Sequence, residues 1–431
     1  MSLKKKVYVA LAADILHEGH INILKIANKL GEVTVGLLTD KGIAEYKKFP
    51  HLNYKQRLTV LKSIKYIKKI IPQESLDYSE NLKKIKPDFL VHGDDWKKGI
   101  QKSTRAKVIK ILRKWGGKLV EPSYTKDISS SLIKKKITEL GTTTDIRRAK
   151  LKRLISAKSI VRIIESHSAL SGLIIEKLNF YKGGTFYEFD GFWSSSLTDS
   201  ALRGKPDNQA VDYSTRIQGL NDIFEVTTKP LIFDADNGGR VEHVPYLVKS
   251  LERVGVSAIV LEDKVGFKRN SLFQDQQKTK QDTIQGFCKK IKIAKKSMVT
   301  DDLMIVARIE SFILKKGLND ALKRAEAYSS SGADAILIHS KEKTPNEIFK
   351  FAKKFKKSKF AKPMICVPST YSKTKEGELI KNGFKVVIYA NHLLRASYPA
   401  MLKTAKTILT KQRGLEADKS ITPIKDIIKL I

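Results

Sequence analysis

Short apolar runs alternate with stretches of near-3.6 periodicity along the chain, and the alternation is interrupted once. In the first part the runs lie at residues 7–12, 33–38, 89–92 and 118–121, separated by amphipathic stretches at 21–30, 55–65 and 104–115. Strands alternating with helices predict a parallel sheet, here an open, doubly wound α/β domain of five strands over residues 1–140, four of them marked by these runs. The stretch Gly141-Thr142-Thr143-Thr144-Asp145 and the basic run at 147–153 break the pattern and predict a linker at 141–153. The alternation then restarts, with eight strand-like runs at 160–165, 187–193, 231–234, 258–262, 304–309, 335–339, 363–367 and 386–390. Eight such units over residues 154–431 predict a (β/α)8 barrel. In both architectures ligands sit at the carboxyl ends of the strands, so chemistry is sought there.

Size and charge narrow the picture without choosing a function. The 431 residues exceed one ordinary core, in agreement with two domains. The 82 Lys and Arg against 45 Asp and Glu give a net charge of +37, which draws anionic partners of every kind. Lys outnumbers Arg roughly fourfold and the basic residues are spread over the whole chain, whereas nucleic-acid readers concentrate Arg in a patch, so no nucleic-acid partner is expected. Cys288 and Cys366 both lie in apolar patterns, which excludes a disulfide scaffold or a thiolate metal site and suits a reducing compartment. No signal segment or membrane-length apolar run is present, so the expectation is a cytoplasmic protein without membrane insertion.

The barrel's strand ends carry the first candidate site. Asp234-Ala235-Asp236 follows one strand run and Glu262-Asp263-Lys264 the next, so carboxylates from neighbouring strands meet at one mouth. Hard oxygen ligands of this kind suit Mg²⁺, which takes one or two carboxylates directly and keeps several waters. Ser195, Arg308 and His339 fall on the same face, adding hydroxyl and cationic donors that suit an anionic substrate. These residues, with Lys268-Arg269-Asn270-Ser271, Ala307-Arg308-Ile309-Glu310 and His339-Ser340-Lys341, resemble phosphoenolpyruvate mutase of the isocitrate lyase and phosphoenolpyruvate mutase superfamily. The resemblance implies interconversion of phosphoenolpyruvate and phosphonopyruvate, with Mg²⁺ at Asp234 and water-mediated help from Asp236 and Glu262. It implies that Trp193, Ser195 and Leu197 surround the pyruvyl carboxylate and that Arg308 and His339 hold phosphoryl oxygens. Lys268, Asn270 and Ser271 are then on a loop that closes over the substrate, and Asp207 matches an acidic position beside the reacting group. Relatives that cleave carbon–carbon bonds carry a Cys on that loop, which residues 265–271 lack. The nearer alternative is phosphonopyruvate hydrolase, against which the Asn270 amide argues, because it steadies a phosphoryl group without activating water.

The first domain carries a second candidate site. Asp14-Ile15-Leu16-His17-Glu18-Gly19-His20 opens a predicted helix after the first strand, and its histidine spacing is not that of a helical zinc site. The segment resembles the nucleotide signature of cytidylyltransferase-like nucleotidyltransferases, with Gly93-Asp94-Asp95-Trp96 and Ile128-Ser129-Ser130-Ser131 in the family's order. The resemblance implies CTP as co-substrate, His17 and His20 on its triphosphate, room for the nucleotide at Gly19, and Lys47 and Arg57 as phosphate contacts. The family usually begins this signature Gly-Thr-Phe-Asp, where this chain has Leu11-Ala12-Ala13-Asp14. Together the halves suggest a bifunctional enzyme of phosphonate biosynthesis that transfers CMP to a small phosphonate such as 2-aminoethylphosphonate. The other class is a binding protein whose nucleotidyltransferase domain has lost turnover. Barrels of this resemblance associate, and the apolar spacing at 392–412 suits a homo-oligomer contact.

Overall fold

Alternation in β1 (Lys6–Leu11) sends Val7, Val9 and Leu11 to one side and Tyr8 and Ala10 to the other, and both sides are buried. The first set packs with Leu24, Ala27 and Leu61, the second with Tyr78, Trp96 and Val108, so helices cover both faces. The computed structural model describes residues 4–97, 101–123, 141–266, 268–272 and 279–430. With β2 (Glu32–Leu38), β3 (Lys69–Gln73), β4 (Phe89–Val91) and β5 (Lys118–Val120), β1 forms a parallel sheet of order β3-β2-β1-β4-β5. The order reverses at β1 and β4, and the crevice at their carboxyl ends is where this topology binds ligands. The fifth strand, β3, gave no apolar run because it is a half-exposed edge strand holding Pro72, which an edge tolerates.

In the second unit β6 (Val161–Glu165) enters the barrel and a helix, Ala169–Lys177, follows. A small antiparallel hairpin then intervenes, β7 (Asn179–Lys182) and β8 (Thr185–Glu188), before the second barrel strand β9 (Gly191–Ser194). The predicted strand at 187–193 therefore merges two elements. The barrel continues with β10 (Leu231–Asp234) and β11 (Ala258–Glu262), and a short antiparallel pair, β12 (Lys264–Val265) with β13 (Lys280–Gln281), follows. β14 (Met304–Ile309), β15 (Ala335–Ile338), β16 (Met364–Cys366) and β17 (Phe384–Tyr389) complete it. The closed order is β10-β11-β14-β15-β16-β17-β6-β9. Outer helices bury one stripe each: Val244, Leu247, Val248 and Leu251 on Val244–Val254, and Ile348, Phe351, Ala352 and Phe355 on Asn346–Phe355.

The predicted linker is mostly a helix, Thr144–Ala157. Contacts assign Met1–Thr143, Lys152–Ser159 and Leu178–Glu188 to the first unit, and Thr144–Leu151, Ile160–Lys177 and Phe189–Ile431 to the second. The basic run is not a solvated tether. Arg147 is 2% exposed and donates to the carbonyls of Phe224, Thr227 and Lys229 at 3.1, 2.6 and 3.1 Å. Arg148 donates to the Glu252 carbonyl at 2.7 Å. Within the first unit Arg153 donates to the carbonyls of Pro50 and His51 at 2.9 and 2.7 Å. No helix among the described residues is long and apolar enough to cross a membrane.

Candidate active sites

The barrel site grows from the ends of its strands. Asp234 closes β10, Glu262 closes β11, and register places Arg308 of β14 directly beside Glu262. His339 follows β15, and Trp193, Ser195 and Leu197 come from the end of β9 and the helix after it. All of these line one cavity together with Asp207, Lys268, Asn270 and Ser271, and the cavity has a volume of about 70 Å³. Such a small space reflects charged side chains reaching into it. Lys268 lies 2.6 Å from Asp236 Oδ1 and also contacts Asp207 Oδ1 and Ser196 Oγ. Asn270 donates its amide to Asp207 Oδ2 at 2.7 Å, so both oxygens of Asp207 are engaged. Ser196 Oγ donates to Asp234 Oδ2 at 2.8 Å, and the Asp236 amide to Asp234 Oδ1 at 3.2 Å. Asp236 adopts φ +51, a left-handed conformation uncommon for a residue with a β-carbon, and its carbonyl accepts from the Glu262 amide at 2.8 Å.

The acids do not share one electrostatic fate. Burial opposes ionisation of Asp234, but Lys268, Arg308 and Arg216 outweigh it and hold its carboxyl below the ordinary value. Burial and then the Asp234 charge push Asp236 up. Glu262 is pushed up to about 7, first by burial and then by Glu310 and Asp236, against the pull of Lys264 and Arg308. Beside Glu262, Arg308 donates to Glu310 Oε1 at 2.6 Å and to Ser271 Oγ at 2.9 Å. His339 Nδ1 lies 2.9 Å from Arg308 Nη2 and 3.0 Å from Glu310 Oε1, leaving Nε2 as the ring nitrogen outside that pair. Burial and the Arg308 charge hold the imidazole below its usual pKa, so it is neutral.

Three residues in this network escaped the sequence reading. Arg216 is 3% exposed and donates to Asp199 Oδ2 at 2.7 Å and to the carbonyls of Asp234 and Ser194 at 2.6 and 3.3 Å, tying the ends of β9 and β10 together. Its signal was present: Arg216, Leu220 and Ile223 occupy the buried stripe of helix Tyr213–Glu225, an Arg where the pattern calls for an apolar residue. Asp199 and Ser196, one turn into a short helix, gave no comparable signal.

Among the described residues no three His, Cys, Asp or Glu side chains surround a single point as metal ligands. A hard divalent cation held by one or two carboxylates and waters does not need three. The donor set fits it: buried carboxylates of Asp234, Asp236 and Glu262 whose charges raise one another's proton affinity, with the Lys268 ammonium already drawn against them.

In the first unit a cavity of about 410 Å³ opens at the carboxyl ends of β1 and β4. Ala12, His17, Gly19, His20, Lys47 and Gly93 line it, as do Tyr46, His92, Asp95 and Tyr181. His17 and His20 stand at the start of helix Glu18–Leu30 with ring centroids 4.0 Å apart. Their Nδ1 atoms are buried and have no hydrogen-bond partner among the described residues. A helix N-terminus with two unsatisfied imidazoles has the chemistry that suits an anion. Burial, then His17 and Lys47, drop the His20 pKa to about 3, so it is neutral when the pocket is empty of anion. Burial also lowers Lys47.

The remaining candidates fall elsewhere. Arg57 is fully buried and is not a pocket residue: its guanidinium donates to the carbonyls of Ala12, Leu38 and Leu52 at 2.6, 2.7 and 3.2 Å and to Asp40 Oδ1 at 2.6 Å. With those partners it frames the loops and has no fork left for phosphate. Asp14 accepts from the Leu52 amide at 2.9 Å and also supports that loop rather than lining the cavity. Asp94 begins a short 3₁₀ turn, and Asp95, not Asp94, reaches the wall. Ile128, Ser129, Ser130 and Ser131 lie outside the described residues.

Comparison with known proteins matches both domains. Residues 151–409 match the family model of phosphoenolpyruvate phosphomutase, and residues 12–136 match the cytidylyltransferase-like family. A phosphoenolpyruvate phosphomutase of Tetrahymena pyriformis is 36% identical over 285 residues, 66% of this chain and 91% of that protein. The crystal structure of a phosphoenolpyruvate phosphomutase from Streptomyces platensis subsp. rosaceus superposes with a TM-score of 0.60 at 33% identity, covering 66% of this chain and 94% of that one. A phosphonopyruvate hydrolase in complex with oxalate and Mg²⁺ superposes with a TM-score of 0.58 at 30% identity, covering 67% and 95%. The chain belongs to the phosphoenolpyruvate phosphomutase family, with a cytidylyltransferase-like domain ahead of its barrel.

Proposed function

We propose that the barrel interconverts phosphoenolpyruvate and phosphonopyruvate and that the first domain transfers CMP from CTP to a small phosphonate such as 2-aminoethylphosphonate. The observation that carries the barrel reading is the Asp207–Lys268–Asn270 cluster sharing one cavity with Arg308, His339, Asp234 and Glu262, with Asp236 held against Lys268 at its edge. In the forward step the bond between phosphorus and the enol oxygen breaks and its electron pair stays on that oxygen. The methylene carbon then bonds to phosphorus as the enolate collapses to the ketone, and no proton moves. Arg308 and Lys268 are suited to hold the three phosphoryl oxygens between the two bonds, and Ser195 to fix the carboxylate. Asp234, Asp236 and Glu262 would hold Mg²⁺, which supplies positive charge to the pyruvyl oxygens when bound. The hydrolase alternative needs a group that takes a proton from water. Asn270 is an amide, and Asp207 has both oxygens committed to Lys268 and Asn270, which favours the mutase.

In the first domain a phosphonate oxygen would bond to the α-phosphorus of CTP as the bond from that phosphorus to the bridging oxygen breaks and pyrophosphate leaves. His17, His20 and Lys47 are placed to carry the charge that builds on the phosphates. The test is phosphorus NMR of the purified chain with phosphonopyruvate and Mg²⁺, with Asp234→Ala as control, followed by CTP and 2-aminoethylphosphonate with pyrophosphate detection. Phosphoenolpyruvate should accumulate and vanish in the variant; inorganic phosphate in its place would make the barrel a hydrolase, and CTP left intact with every phosphonate would refute the transferase.

A further inference from the structure

Connections from helix to strand in α/β units usually take about two to six residues. Residues 178–190, between helix Ala169–Lys177 and β9, are longer and are occupied by the β7–β8 hairpin. Gly183 and Gly184 form its turn at φ +58 and +79, the left-handed pair that lets two residues join twisted strands. Pairing sets Tyr181 opposite Phe186 and Phe180 opposite Tyr187, with centroids 5.0 and 5.3 Å apart. Side chains alternate along a strand, so Tyr181 and Phe186 share one face. Phe186 is 7% exposed whereas Phe180 on the other face is 51% exposed, so Tyr181 stands on the inward face, its own side chain 49% exposed at the cavity rim. The hairpin groups with the first unit, and Tyr181 lines that unit's cavity beside Tyr46 and Lys47. Partial burial and the neighbouring Tyr46 push its phenol above the ordinary value, keeping it a hydrogen-bond donor.

We infer that Tyr181 positions the acceptor in the nucleotidyltransferase site, which is thereby completed by a segment embedded in the barrel's part of the sequence. The inference rests on the CMP-transfer reading of that cavity. The His17–His20 end is built for the triphosphate and the His92–Gly93 end, at the sheet's switch point, for the nucleoside. The Tyr46 side of the cavity is left for the second substrate, an anion whose oxygens meet the CTP phosphates beside Lys47 and whose body needs a further donor and apolar cover. A phenol on a hairpin supplies both.

The experiment uses the full chain with Tyr181→Ala and Tyr181→Phe, pyrophosphate release with 2-aminoethylphosphonate as acceptor, and calorimetry of CTP binding. Loss of one donor and one ring contact should raise the acceptor KM about tenfold in Tyr181→Ala and about threefold in Tyr181→Phe, with CTP affinity within about twofold of the parent. Unchanged phosphonopyruvate conversion by the barrel shows that each variant is folded. An acceptor KM unmoved by Tyr181→Ala, or a CTP affinity falling in step with it, overturns this inference alone. A parent protein that neither binds nor consumes CTP removes the transferase reading, and this inference with it.

Discussion

Replacing Arg216 by Met keeps most of the side-chain volume and removes the guanidinium that ties the ends of β9 and β10. In the native protein burial works against that charge, yet Asp199, Asp236 and Asp234 outweigh it and hold its pKa above the ordinary value. The variant deprives Asp199 of its 2.7 Å partner, leaving it the Ser194 hydroxyl at 2.9 Å, and strips the 2.6 Å donor from the Asp234 carbonyl. It also removes a cation held 4.2 Å from the centre of the Phe233 ring. Breaking one side of a buried ion pair costs about 3–5 kcal/mol, and the lost cation–π contact adds about 1 kcal/mol, so a loss of about 5 kcal/mol is expected. Urea unfolding followed by tryptophan fluorescence, with separate transitions fitted for the two units, measures it. A cycle with Asp199→Asn isolates the pair and should return a coupling of about 2 kcal/mol. The carboxylate of Asp234 also loses its anchored main chain, so phosphonopyruvate conversion should fall further than stability alone explains. A cost below about 1 kcal/mol with undiminished conversion would refute the claim that Arg216 holds this end of the barrel together.

Two further outcomes follow from the first unit. An anion beside His20 lifts its pKa from about 3, so the complex binds a proton that the free protein does not, and CTP affinity should tighten as pH falls from 8 to 5.5. Calorimetry across that range should show a flatter profile for His20→Asn; an identical slope would mean the imidazole does not meet phosphate. Glu121 accepts from Arg105 at 2.7 and 2.8 Å and from Trp96 at 2.7 Å, and Arg105 is the main cause that brings its pKa down to about 2. Because the folded value lies below the unfolded one, this stabilisation is full above about pH 4.5 and is lost as pH falls toward 2. Screening at this partly exposed site leaves about 1 kcal/mol, so Glu121→Gln should cost that much at pH 7 and nearly nothing at pH 2 in urea unfolding.

The sequence displayed whatever its periodicity wrote strongly. Seven of the eight barrel strands stand out as separate apolar runs because they are buried, the second being run together with the hairpin before it, and the acids at their ends stand out against them. Edge strand β3 and the β7–β8 hairpin were invisible for the opposite reason: β3 is half-exposed and β7 exposed throughout, so neither writes an apolar run. Arg57 shows the limit of motif matching. Its position suggested a phosphate contact, but only three dimensions reveal that Ala12, Leu38 and Leu52 turn their carbonyls toward it. Asp199 and Arg216 are seventeen positions apart on two helices, and nothing local couples an acid on one to a base on the other.

Arg147 has a consequence for where the polypeptide can be divided. The carbonyls it satisfies precede β10, and its own carbonyl accepts from Ser257 just ahead of β11 at 2.8 Å, so it sits at the barrel end opposite the candidate site. A fragment begun at residue 154, where the composition shift suggested a border, would expose that underside and strand three acceptors without a donor. A cut before Thr144 keeps Arg147 with its acceptors but parts Arg153 from the Pro50 and His51 carbonyls it satisfies, so any exchange of front halves between relatives has to preserve the partners of both ends of this helix.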